Sequence, residues 1–280
     1  MQAQVLTAVV KDMEIIRTIN YEQKYITDLK YADNGKVCVS VVNTKENSPS
    51  NCELRYGPIQ FFSTHGACLC FTHDGYKKNI IFSNNKSLLV YKTPRSKGLP
   101  SFWPLPDESL DGYTPTGIGV CKSGAILVSH WNHQMHDRSL GKVFKLSQGV
   151  GKLFEIEADK NRPLFICPTY ITENGNGDIC VSDVNAVVVT DRGGFLRFCY
   201  TGAQSDPQFD PYGICCDSMN NIIVADMLKN RIHVINQNGE LLHFIQYKDM
   251  YMPRSLCIDE HDNLYVGEWS SEEIKVLLLQ

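Results

Sequence analysis

The sequence predicts an all-β, six-bladed β-propeller of four-stranded antiparallel blades, on three observations. A four-strand unit recurs along the chain, a proline and a small residue keep one spacing inside it, and the N-terminus holds a strand that the last unit lacks.

The clearest unit runs from Pro211 to Ile245 and contains four short apolar runs: Ile214–Cys216, Ile222–Ala225, Ile232–Ile235 and Leu241–Ile245. Turn residues separate them, Asp217 to Asn221 and then Asn236 to Gly239. Arg231 and His233 alternate with Ile232 and Val234, the period of a half-buried strand, and helical spacing is absent. Further units start at Pro115, Pro168 and Pro253. Each proline is followed at one fixed distance by a small residue: Ser129, Ser182, Ala225 and Gly267. Proline suits the start of a strand, where it gives up a donor, and the small residue lets neighbouring strands or blades approach. Weaker copies in the front half place Ser40 and Ser83 at the small position.

These units define blades over 25–62, 64–106, 113–157, 168–202, 211–247 and 253–280, in a single propeller spanning 1–280. The last blade has only three strands of its own. The segment 13–20 has the pattern of an outer strand, and pairing it there closes the ring and covers an edge. Glycines fall in turns such as Asn34-Gly35, Arg192-Gly193-Gly194 and Asn238-Gly239, where a positive φ is needed. The stretch from Lys92 to Pro106 reads as a long inter-blade loop and Asn43–Asn51 as a polar insertion.

Composition narrows the function classes. A net charge of −4 removes any whole-chain basic excess that would draw DNA or an anionic membrane. The 11 cysteines include no Cys-x-x-Cys pair and lie mostly in apolar runs, so they read as reduced thiols of a cytoplasmic protein. The N-terminus lacks the cationic start of a signal peptide, no apolar run is long enough to span a bilayer, and neither end carries a lipidation signal.

The pattern carried by Pro211, Gly213, Ile214, Asp217, Val224, Ala225, Asp226, Asn230, Arg231, Ile232, Val234, Gly239 and Leu241 resembles the NHL repeat. The stretch from Thr169 to Gly202 and the closing DNLYVGEW are similar to the C-terminal propellers of molluscan-type tripartite-motif proteins. That resemblance implies a recognition module that selects a protein target for ubiquitin transfer or binds RNA. The Cys/His clusters of a RING or B-box are absent, and so is a heptad segment, so ligase chemistry is not expected of these residues.

The expected role is therefore a non-catalytic interaction module with no cofactor. Its partner surface is the loop face bearing Trp131, His133, Tyr170, Tyr212, Lys229, Arg231, Arg254 and Trp269. Aromatics mixed with cations suit protein hot spots or base stacking. A protein partner is preferred over single-stranded RNA, because the cations are few and Asp183, Asp226 and Glu268 lie close by. Those carboxylates share one repeat position, which fits a cation or acid–base site, but also fits turns held by backbone N–H groups. His130, His133, His136 and Asp137 are the only histidine cluster; zinc needs convergent ligands, and a polar loop need not supply them. No nucleophile elbow, P-loop, dinucleotide fingerprint or His-Glu-x-x-His occurs. A metal-dependent hydrolase or lyase on the propeller is the competing class.

Overall fold

The computed structural model describes residues 9–20, 25–31, 37–42, 52–56, 60–63, 71–74, 79–83, 88–92, 101–104, 113–132, 141–147, 151–203 and 208–279. Every regular element among them is a β-strand. The chain enters through β1 (Val9–Asp12) and β2 (Ile15–Asn20), then forms a series of antiparallel meanders. These are β3 (Ile26–Tyr31) to β4 (Val37–Val42), β5 (Cys52–Tyr56) and β6 (Gln60–Ser63), then β7 (Phe71–Asp74), β8 (Asn79–Ser83), β9 (Leu88–Lys92) and β10 (Ser101–Pro104). The next sheet holds β11 (Tyr113–Val120), β12 (Ile126–Asn132), β13 (Gly141–Ser147) and β14 (Gly151–Ile156). A short ladder of β15 (Ala158–Asp159) and β16 (Arg162–Pro163) leads to β17 (Tyr170–Glu173), β18 (Ile179–Asp183), β19 (Ala186–Thr190) and β20 (Leu196–Tyr200). Then come β21 (Pro211–Cys216), β22 (Ile222–Asp226), β23 (Arg231–Ile235) and β24 (Leu241–Gln246), and finally β25 (Pro253–Ile258), β26 (Asn263–Glu268) and β27 (Glu273–Leu278). The architecture is an all-β propeller.

The repeat spacing has a register behind it. Pro115, Pro211 and Pro253 stand opposite His130, Asp226 and Glu268, the residues just after the small position. A register irregularity follows each of these prolines, and another follows Ile26 at the equivalent place. A bulge tolerates the missing N–H and adds twist where the chain enters the sheet.

The small residues sit where blades touch. Ser40, Ser129, Ser182 and Ala225 are fully buried. The Ser182 hydroxyl donates to the Tyr212 carbonyl of the next inner strand at 2.6 Å. A Cβ on Gly267 would lie 2.5 Å from Ile26 Cδ1 and from Ser255 Oγ. The core is correspondingly distributed between sheets. One cluster joins Ile223, Ile232 and Val234 to Leu256, Leu264 and Val266; another joins Ile26 and Leu29 to Tyr265, Ile274 and Val276. Inner strands contact one another in the order β3, β7, β11, β17, β21, β25 and back to β3.

The N-terminal segment bridges two sheets. β2 pairs antiparallel with β27, Thr18 opposite Lys275 and Ile19 opposite Ile274. Ahead of it, β1 adds to the outer edge of β24 in parallel, Val9 opposite His243. That second pairing was not expected from the sequence. Four short residues exposed on both faces carry no alternation to reveal a strand. Turns obey one local rule: Asp217 Oδ1 accepts from Met219 and Asn221 N–H, and Asn236 and Asp259 repeat the arrangement. Gly239 completes such a turn at φ 88°.

Candidate functional site

In the last three meanders the second strand ends where the connector entering that same meander arrives, and the residue after the small position lies there. Three carboxylates occupy that position, and all are buried. Asp183 Oδ2 accepts from Ile166 N–H at 2.7 Å, while Oδ1 accepts from Cys167 and Val184 at 2.6 and 2.8 Å. Burial pushes the Asp183 carboxyl up in spite of these donors. Glu268 Oε1 accepts from Tyr251 N–H and the Tyr247 hydroxyl, both at 2.8 Å. Asp226 Oδ1 faces the Asp210 and Lys229 N–H groups at 3.3 and 3.4 Å. Each carboxylate thus pins the connector that enters its own blade, the second of the two roles the spacing allowed.

Asp226 also anchors a buried relay. His233 is fully buried, with Nδ1 2.8 Å from the Tyr200 hydroxyl and Nε2 3.1 Å from both Asp226 Oδ2 and Arg231 Nε. One ring nitrogen cannot donate and accept at once. The buried carboxylate decides it: Nε2–H donates to Oδ2, and Nδ1 accepts the Tyr200 proton. Arg231 is then held 3.7 Å from Asp226 Oδ2 and stacked 4.0 Å from the Phe244 ring centre. It is a partner of the relay, not an outward-facing cation.

The expected partner face is partly assembled and partly inverted. Tyr170 is buried, and its hydroxyl donates to the Thr27 carbonyl of β3. Its ring lies edge-on to Tyr212, 6.2 Å between centres. Arg254 lies between two rings, 4.7 Å from the centre of Tyr212 and 4.3 Å from that of Trp269. Tyr25 packs on Trp269 at 5.3 Å. Tyr25, Tyr212, Arg254 and Trp269 therefore form one continuous stack over the buried Tyr170. Trp131, near the end of β12, and Lys229, in the turn between β22 and β23, are half-buried. His133, His136 and Asp137 lie outside the described residues.

Arg254 is the anomaly of this stack. Its Nε is buried and has no hydrogen-bond partner among the described residues. The rings cover the guanidinium faces, an arrangement worth about 0.5–2 kcal/mol, but ring faces do not satisfy in-plane donors. A buried donor without a partner costs about 1–3 kcal/mol. An oxygen of an anion or a polarised carbonyl in the guanidinium plane would remove that cost. Asp210 is close enough for its carboxyl to feel Arg254, yet burial and Asp226 push that carboxyl up.

His130, on the third blade at the carboxylate position, is a different environment. Its Nδ1 is buried without a partner among the described residues, and its ring meets Phe144 edge-on at 4.9 Å. Burial lowers its pKa to about 4, so the imidazole is neutral near pH 7. Among the described residues no group of three or more His, Cys, Asp or Glu side chains is placed to hold a metal ion. In the carboxylate ring, both Asp183 oxygens, Asp226 Oδ1 and Glu268 Oε1 already accept backbone N–H bonds. Cys121, Cys167, Cys180, Cys199, Cys215, Cys216 and Cys257 are free thiols, and no helix among the described residues is long and apolar enough to cross a membrane.

No family model matches the chain, and no curated protein matches it. Solved structures do. A catalytically inactive histidine-to-alanine virginiamycin B lyase from Staphylococcus aureus, with quinupristin, superposes at TM-score 0.63 with 16% identity, over 94% of this chain and 88% of that one. A streptogramin B lyase gives 0.64 and 15%, over 94% and 87%. A protein of unknown function from Bacteroides caccae gives 0.57 and 14%, over 88% and 82%. These likenesses give the propeller fold, and nothing in them supports the NHL or tripartite-motif family, ubiquitin ligation or RNA binding. They also overturn the expectation of a non-catalytic module. Two of the three are enzymes on this fold, so missing short motifs do not exclude catalysis. A propeller assembles its site from single residues on separate blades, which leaves no contiguous signature.

Tyr25 and the unsatisfied Arg254 Nε were missed by sequence reasoning. Tyr25 directly precedes its blade's first strand, as Met252 does, and both have positive φ. That shared position is a signal, but the stacking partner comes from a different blade.

Proposed function

We propose that the chain is a propeller enzyme of the lyase or hydrolase kind, acting at the aromatic stack around Arg254 on a small substrate that carries a carbonyl or carboxylate oxygen. The unpaired Arg254 Nε, held between Tyr212 and Trp269, carries this reading. Elimination next to a carbonyl and attack on an ester both build negative charge on oxygen, and a preorganised cation in a dry aromatic setting stabilises that charge. The likeness in fold to two lyases supports the class without fixing the substrate. The same reading takes the scaffold as six blades closed by β2, supported by the order in which inner strands meet and by the pairing of β2 with β27.

The test is a panel of cyclic and linear esters followed by mass spectrometry. A lyase opens a cyclic ester to an isomer of unchanged mass, whereas a hydrolase adds one water. Arg254→Met keeps the apolar stem and should lower kcat/KM about 100-fold, near 2.7 kcal/mol of transition-state stabilisation. Turnover that survives this change intact would move the active site elsewhere.

A further inference from the structure

We infer that a cavity at the end of the blades opposite the Arg254 stack is a binding site for an amphiphilic ammonium ion. β22 and β26 run from the turns at Asp217–Asn221 and Asp259–Asn263 toward Asp226 and Glu268, so the cavity and the carboxylate end lie at opposite strand ends. The cavity is about 630 Å³ and lies where the chain crosses from β1 to β2. That is within the roughly 300–1,000 Å³ of small-molecule sites.

Its wall is apolar, built from Met13, Ile16, Ile245, Leu278 and Leu279. Ile16 and Leu278 remain 53% and 38% exposed, apolar surface that a tail would cover. Its polar lining is biased to one sign: Asp12, Glu14, Asp217 and Asp262 against Lys11. Burial and Lys11 both lower the pKa of His243, so its imidazole adds no cation near neutrality.

The four carboxylates are not equivalent. Asp217 is occupied by its own turn, accepting from Met219 N–H, Asn221 N–H and the Asn221 side chain. Asp262 accepts from the Ser218 N–H and hydroxyl. Asp12 and Glu14 are exposed and have no hydrogen-bond or ionic partner among the described residues. They sit on either side of Met13, at the crossover that forms the cavity's edge. An alkyl tail against the wall with an ammonium head between these carboxylates matches both the shape and the charge. A carboxylate head would meet repulsion, and a neutral head would forgo the Coulomb term.

Occupancy also couples to the fold. β1 and β2 provide the edge of the site, so a ligand that binds only the folded form holds both strands down. Calorimetry and thermal melting with octylammonium, octanoate and octanol, each below its micelle concentration, test the assignment. Octylammonium should bind, raise Tm and slow amide exchange across Val9–Asp12, while octanoate should do none of these. Asp12→Asn with Glu14→Gln should weaken octylammonium about tenfold, or about 1.4 kcal/mol. Ile16→Lys, also at an exposed position, should abolish binding while the unliganded protein still folds. Equal binding of octanoate, no binding of octylammonium, or affinity unchanged in these variants would overturn the proposal. Esterase or lyase assays with Arg254→Met are independent of every arm.

Discussion

At the scale of single residues, the strongest constraints come from backbone proximity. A Cβ on Gly213 would stand 2.6 Å from Leu256 N, 2.7 Å from the Arg254 carbonyl and 2.8 Å from Ser255 Cα. Those are backbone atoms of the next inner strand and cannot step aside. On Gly267 the equivalent conflict is with the ends of the Ile26 and Ser255 side chains, which have rotamers to use. Gly213→Ala should therefore cost about 3 kcal/mol and Gly267→Ala nearer 1 kcal/mol, measured by urea unfolding. Equal costs would mean that inner strands separate as readily as side chains rotate. The sequence made the small positions and the shared carboxylate position legible, because both repeat with the blade. It did not reveal that Arg254 is unsatisfied or that Arg231 faces inward. The first depends on Tyr212, which comes from the preceding unit, and on Trp269; the second depends on the approach of Arg231 to Phe244 across neighbouring strands, which alternation along one strand does not encode.

Strand pairing accounts for what was and was not readable at the scale of elements. β21 to β24 alternate or run apolar between turn residues, so their existence and order follow from pattern and spacing. β1 has no such pattern and is exposed throughout. β2 places Ile15 against the cluster containing Leu256 and Ile19 against the one containing Tyr265, and so contributes to both. Removing residues 1–12 should then lower stability only slightly. Removing 1–20 takes away two apolar anchors and uncovers the edge of β27, a loss on the order of 3 kcal/mol. Thermal scans with light scattering distinguish the two truncations: the longer one should melt earlier and aggregate. If both melt alike, β2 contributes no more than β1. The parallel pairing of β1 also explains why the cavity beside it was invisible in the sequence. Its wall comes from β1, β2 and two different meanders.

The whole molecule differs from a linear repeat array in one respect. Clusters shared by neighbouring sheets join the first meander to the last, through Ile26 and Leu29 on one side and Ile274 and Val276 on the other. Tyr170 adds a bond from β17 to the Thr27 carbonyl of β3. In an open solenoid, stability is a sum of local terms, and damage at one end stays there. In a ring closed as proposed, breaking one junction frees both neighbours, and the effect travels around. Leu29 is fully buried at the junction of first and last meanders. Leu29→Ala should cost about 2–5 kcal/mol. Amide exchange reads the rest: for a closed ring, protection should fall by the same free energy in β18 and β19, far from the substitution, as in β26 and β27. Protection lost only in the sheets beside Leu29, with β18 and β19 unchanged, would show a chain that unfolds from its ends and a ring that does not act as one unit.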